Sequence, residues 1–110
     1  MIVLHGLKAC DTCRKALKDL GAAGRDARLR DLRAEPVTAA EVEAWHDAFG
    51  KDLLNIRSTT WRGLTEAERA GDPVALMVAH PALVKRPVAE AADGTLHLGW
   101  RDDTRAALGL

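Results

Sequence analysis

The sequence predicts an α/β fold: a four-stranded mixed sheet, built as β-α-β and then β-β-α, with helices on it and a helical insertion between the halves. Three observations carry this expectation. A β-rich run, a helix-period run and an alternating run follow one another through the first third of the chain. Capping signals and helical spacing then occupy about residues 38–80. An Asp93-Gly94 turn finally separates two strand-like runs, and a last helix follows. With 110 residues, one domain spanning 1–110 is expected, because a second would lack residues for its own core.

The elements follow in order. Ile2-Val3-Leu4, ending at Gly6, is strand-sized. From Asp11 to about Ala23, Cys13, Ala16, Leu17 and Leu20 recur at helical spacing; Asp11 sits in the first turn, and Gly21 and Gly24 mark the end. Ala27 to Leu32 alternates apolar and charged residues, as an edge strand with one wet face does. Pro36 breaks the chain, and Thr38 with Glu41 forms a capping box. The helix behind it runs to about Phe49, with Val42, Trp45 and Phe49 on one face and Gly50 as its stop. A less regular stretch follows from Leu53 to Arg62.

Thr65 and Glu68 form a second capping box, opening a short helix that ends near Gly71. Asp72-Pro73 opens another, which buries Val74, Met77 and Val78 and stops before Pro81. Val88 to Ala91 reads as a strand, Thr95 to Trp100 as its return, and Asp102 to Leu108 as the last helix. Trp45, Phe49 and Met77 are assigned to the core.

Composition narrows the function. Sixteen basic and sixteen acidic residues cancel, so bulk charge points to no polyanion and no direct nucleic-acid binding is expected. No apolar run approaches the roughly 18 residues that span a bilayer, and Met1 to Gly6 lacks the basic flank of a leader. A soluble, monomeric protein of the cytoplasm with no membrane partner is expected.

The two cysteines lie in one turn, Cys10-Asp11-Thr12-Cys13. A loop that small constrains the unfolded chain little, so their value is chemical. Zinc usually takes four ligands; there is no second C-x-x-C, and His5, His46, His80 and His97 have no paired spacing, so no metal is assigned. Two inert cysteines are the plain alternative. The motif's place, after a strand and opening a helix, favours a thioredoxin-like redox motif instead. Cys10 then sits where free N–H groups and the positive end of the helix dipole meet, so its thiolate is stabilised. Lys8 and Arg14 add positive charge nearby. Cys13, one turn inward, is placed to attack a mixed disulfide at Cys10. In such a layout the loop before Pro87 faces Cys10, and a cis Arg86–Pro87 bond would present backbone groups to an extended thiol partner.

Three segments carry a wider resemblance: Gly6 to Ala16 with Cys-Asp-Thr-Cys, Leu54 to Arg62 with Arg-Ser-Thr-Thr-Trp-Arg, and His80 to Pro87. In this order they resemble the arsenate reductase (ArsC) family of thioredoxin-fold proteins over nearly the whole chain, and within it the YffB-like subgroup. The resemblance implies that Cys10 is the nucleophile, that Arg57 and Arg86 hold an oxyanion, and that Pro87 is the cis-proline. Guanidinium forks suit such an anion. It also implies glutathione as co-substrate, with no bound cofactor, and glutaredoxin as a partner that completes the reduction. Lys8, Thr12, Arg14, Trp61, Lys85 and Pro87 are assigned to substrate or thiol binding: Trp61 could stack on the thiol cofactor and Lys85 could hold a glutathione carboxylate, and both could instead be packing or solvated. Arsenate reductases of this type carry a third arginine in the last strand; here Gly99 stands there, with Arg101 nearby. They usually carry Ser where Cys13 stands, and the C-x-x-C followed by Arg resembles Spx. That resemblance implies the alternative function, a redox-sensing regulator switched by a Cys10–Cys13 disulfide and binding a protein partner. His5 is a candidate for tuning Cys10 or for a local hydrogen bond.

Overall fold

The computed structural model describes all residues, Met1–Leu110. The strands are β1 (Ile2–Gly6), β2 (Ala27–Asp31), β3 (Val88–Glu90) and β4 (Leu96–Leu98). The helices are α1 (Asp11–Ala22), α2 (Ala39–Phe49), α3 (Thr59–Arg62), α4 (Glu66–Arg69), α5 (Pro73–Ala79) and α6 (Asp102–Ala107), with 3-10 turns at Gly50–Leu53 and Pro81–Leu83. The chain separates into two compact units, Met1–Glu35 with Arg86–Leu110, and Pro36–Lys85.

The first unit is built on the mixed sheet that the sequence predicts, in the order β2-β1-β3-β4. β1 pairs with β2 in parallel, setting Leu4 opposite Leu29, and with β3 in antiparallel, setting Leu4 opposite Ala89. β3 and β4 pair in antiparallel. β2 is an edge strand, and its alternating pattern agrees with that position.

Alternation along β1 sends Ile2 and Leu4 to one face, where they meet Ala16 and Leu20 of α1, Ala89 of β3 and Leu108. Leu4, Ala16, Leu20 and Ala89 are fully buried. Burying a leucine of this kind contributes about 1.5–3 kcal/mol. Cys13, Ala16 and Leu20 are the buried stripe of α1, as their spacing requires.

Asp19, on the next turn of α1, accepts hydrogen bonds from Trp100 Nε1 at 3.0 Å and from Arg105 Nη1 at 2.6 Å. The Arg105 guanidinium also lies 5.7 Å from the Trp100 ring centroid. This three-residue cluster ties α6 to α1.

The later strands are shorter than the sequence suggests. Gly99 still donates its N–H to Pro87 O at 2.8 Å, but its positive φ of 79° turns the chain out of the β4 ladder after Leu98. At the other end, Ala91 N–H bonds Thr95 O at 2.9 Å, which closes the turn and ends β3 at Glu90.

In the second unit α2 is opened by its capping box: Glu41 N–H donates to Thr38 Oγ1 at 3.2 Å, and Thr38 N–H donates to Glu41 Oε1 at 3.1 Å. Val42, Trp45, Leu53, Met77, Leu83 and Val84 are buried here. Phe49, expected in the core, is half-buried at the helix end. The stretch 53–62 is more ordered than its sequence suggests. Asn55 N–H donates to Leu83 O and Lys85 N–H to Leu53 O, both at 2.7 Å, around a single Leu54–Val84 bridge. Ser58 Oγ then caps α3 by accepting from Trp61 N–H at 3.1 Å. No helix is long and apolar enough to cross a membrane.

Candidate active site

Cys10 stands between β1 and α1, where the chain turns through a Cys10 N–H to Leu7 O hydrogen bond of 3.0 Å. It is the N-cap residue of α1, extended at φ −80° and ψ 118°, and its carbonyl accepts the Arg14 N–H at 3.0 Å. Its thiol is half-buried and makes no regular capping hydrogen bond, yet three groups act on the sulfur. Partial burial is the largest single influence and raises the pKa. The Cys13 backbone N–H, the Cys13 thiol and the Arg86 guanidinium together outweigh it and leave Cys10 below its ordinary value. The thiolate is therefore stabilised at this atom relative to that of an ordinary cysteine.

Arg86 reaches Cys10 from the far end of the sequence. It immediately precedes Pro87, through a peptide bond that is cis, and Val88 then enters β3 beside β1. Pro87 is buried. The expected cis-proline stands where the sequence places it, and Arg86 supplies the positive charge at the thiol.

Cys13 lies fully buried, one turn along α1. Burial, first among the causes, pushes its thiol up to about 12, and its interaction with Cys10 adds to the rise, while the Leu7 backbone N–H acts in the opposite direction. Both cysteines are free thiols in this structure. Gly6 closes β1 directly against Cys13: a Cβ at Gly6 would overlap the Cys13 sulfur.

The other site residues assigned from sequence are placed as follows. Lys8 and Thr12 are exposed. Arg14 is exposed and paired with Asp11, so its charge is already engaged by a carboxylate on the same turn. Arg57, Trp61 and Lys85 belong to the second unit. Arg57 is exposed; its N–H donates to Asn55 Oδ1 at 3.2 Å, and its carbonyl accepts from Arg62 at 2.8 Å. Trp61 is half-buried, with the Arg69 guanidinium 5.8 Å from its ring centroid and Arg69 Nε donating to its carbonyl at 3.1 Å. Lys85 is exposed. Gly99 contributes no side chain, and Arg101 is an exposed residue preceding α6.

His5 takes the local role. Alternation along β1 puts it on the face opposite Leu4 and Gly6, away from Cys13. It is buried, with Arg30 Nη1 3.2 Å from Nδ1 and Glu90 Oε1 3.2 Å from Nε2. A guanidinium can only donate, so Nδ1 accepts and Nε2–H donates to Glu90. The ring thus links side chains of β2, β1 and β3.

Two features escaped the reading of the sequence. One is Gly6, although a glycine closing a strand just before a C-x-x-C is a signal of close approach. The other is the Asp19–Trp100–Arg105 cluster, which no local pattern announces.

Comparisons with known proteins bear on the family and the fold. A protein-family model described as the ArsC family matches residues 5–108. A relative from Haemophilus influenzae, an uncharacterized protein, is 34% identical over 107 residues, covering 93% of each chain. The solved structure of a YffB protein superposes with a TM-score of 0.89 at 34% identity, over 98% of each chain. An arsenate reductase (ArsC) related protein from Brucella melitensis superposes with a TM-score of 0.74 at 34% identity, over 96% of this chain and 92% of its own.

Proposed function

The chain belongs to the ArsC family, and on that premise we propose that it is a thiol-based reductase of the cytoplasm, linked to glutathione, with Cys10 as its nucleophile. The observation that carries this reading is the place of Cys10, the N-cap residue of α1, with the Arg86 guanidinium beside its sulfur.

The chemistry is a thiol–disulfide exchange. The Cys10 thiolate attacks one sulfur of a disulfide; the S–S bond breaks, a mixed disulfide forms on Cys10, and the other sulfur leaves as a thiolate that takes up a proton. A glutathione thiolate then attacks the mixed disulfide, restoring the Cys10 thiolate. The first glutathione leaves joined to the remaining substrate sulfur, and a second glutathione thiolate attacks that mixed disulfide, releasing the second substrate thiol and glutathione disulfide, so two thiols are oxidised for each disulfide reduced. Arg86 stabilises the charge on Cys10 in the resting state and on its return as a leaving group. On an oxyanion such as arsenate, Cys10 attacks arsenic instead and an arsenic-bound oxygen leaves as water, with Arg86 beside the anion and the thiols of glutathione or glutaredoxin supplying the two electrons that reduce arsenic. The empty side-chain position at Gly99 removes one guanidinium from the set that arsenate reductases bring to that anion, which favours the disulfide substrate.

The test is mass spectrometry of the protein equilibrated in glutathione buffers of graded poise, with turnover of 2-hydroxyethyl disulfide measured alongside. A glutathione adduct on Cys10 in Cys13→Ser, with turnover abolished in Cys10→Ser, is expected. A Cys10 that stays a free thiol across the whole range defeats the proposal. Wild type that accumulates a Cys10–Cys13 disulfide without turnover transfers the assignment to the Spx-like regulator.

A further inference from the structure

The thiolate at Cys10 needs a rigid environment, and the sequence offers no obvious one. Cys10 is only half-buried, and Lys8 and Arg14 are out in solvent. The buried member of the pair is Cys13. Three residues along a helix from Cys10, it projects from the same side of α1. Its sulfur is fully enclosed and rests on the backbone of β1 at Gly6. That seat exists only because position 6 lacks a Cβ. Gly6 has no positive φ, so an alanine is allowed by its backbone and only the sulfur stands in the way.

Two groups besides Gly6 act on the Cys13 sulfur, the Leu7 amide and the Cys10 thiol. The Leu7 backbone N–H acts on the Cys13 sulfur as a donor, so the sulfur's acceptor side is engaged there. The Cys13 S–H is then left to point at Cys10, the neighbouring thiol with which it interacts. A buried thiol that accepts from the Leu7 amide, just past the end of β1, and donates to the nucleophile forms a short relay beside an interior strand of the first unit.

We propose that Gly6 and Cys13 are positioning residues for the nucleophile: Gly6 makes the room that seats the Cys13 sulfur, and the seated thiol directs its hydrogen at Cys10 Sγ. This rests on Cys10 being the reactive thiol. It gives Cys13 a role in the reduced protein that is separate from any attack on a mixed disulfide.

The measurement is the pH midpoint of Cys10 alkylation by iodoacetamide, followed by peptide mass spectrometry so that Cys10 is read alone. Cys13→Ala removes the donor and is expected to raise the midpoint by about one unit, as a hydrogen bond to a charged group warrants. Cys13→Ser keeps a donor in place and is expected to stay near wild type. Gly6→Ala displaces the sulfur and is expected to raise the midpoint as Cys13→Ala does. In the double variant Gly6→Ala/Cys13→Ala there is no sulfur to displace, so the midpoint equals that of Cys13→Ala alone.

Two results overturn the proposal. One is a Cys13→Ser midpoint that moves as far as that of Cys13→Ala. The other is a Gly6→Ala effect that persists undiminished without the Cys13 sulfur. Since alkylation needs no substrate, these outcomes are independent of reductase activity. Loss of the reductase assignment would instead show as turnover that survives Cys10→Ser.

Discussion

Arg86 and Arg14 show how differently two cations near one thiol can act. Arg14 is one turn from Cys10 in sequence, yet it is exposed and bound to Asp11. Arg86 is distant in sequence but reaches the sulfur, and its hydrogen bond and charge both favour the thiolate. Removing each should separate them. The Cys10 alkylation profile of the wild type is expected to have its midpoint below ~8.5, the value of a free cysteine. Arg86→Gln should move that midpoint upward, whereas Arg14→Gln should leave it where it was, both followed by iodoacetamide rates between pH 5 and 10. An unmoved midpoint in Arg86→Gln would assign the depressed value to the helix and Cys13 alone.

At the scale of elements, α1 is held from two sides. Its buried stripe packs on the sheet, and Asp19 binds Trp100 and Arg105 of the segment that follows β4. The Asp19 carboxyl lies below its ordinary value; the Trp100 hydrogen bond is the main cause, desolvation opposes it, and the hydrogen bond and charge of Arg105 add to the lowering. A carboxyl whose pKa falls on folding contributes stability above its unfolded value of ~3.9, and that contribution is lost as pH falls through the lower folded value. Asp19→Asn should therefore lower the thermal midpoint at pH 7 and flatten the loss of stability between about pH 5 and 2. Thermal melts of both proteins across that range measure it; parallel curves would mean the cluster contributes nothing through charge.

The same scale shows where local patterns sufficed. The capping boxes at Thr38 and Thr65 and the Asp72-Pro73 start all open helices where the sequence puts them. Those signals are complete within four residues, so no distant contact was needed to read them. The strand ends were less legible. β4 stops at Leu98 because Gly99 takes a positive φ and Pro87, the residue opposite it, has no N–H to return to the ladder, a partner distant in sequence.

At the scale of the whole molecule, each unit carries its own buried apolar set, and the first is centred on β1 and α1. Leu20 joins that core from α1 and is fully buried. Leu20→Ala should cost about 2–5 kcal/mol, the range for emptying a leucine site that can only partly collapse. Urea unfolding followed by circular dichroism reads this directly, and a loss under 1 kcal/mol would show a site that closes over the cavity.

What the sequence determined by itself was the element order, the mixed sheet, the family and the position of Cys10 at a helix start. Each of these follows from periodicity, caps and motif spacing, which act over a few neighbouring residues. Only the tertiary structure decided which groups surround the thiol. Arg86 and not Arg14 supplies the charge, Cys13 is sealed against Gly6, and His5 turns away to Arg30 and Glu90. The physical reason is register. Which side chain from β3 or its approach meets the end of β1 depends on strand pairing and on the two-residue alternation of faces, and neither is encoded near Cys10.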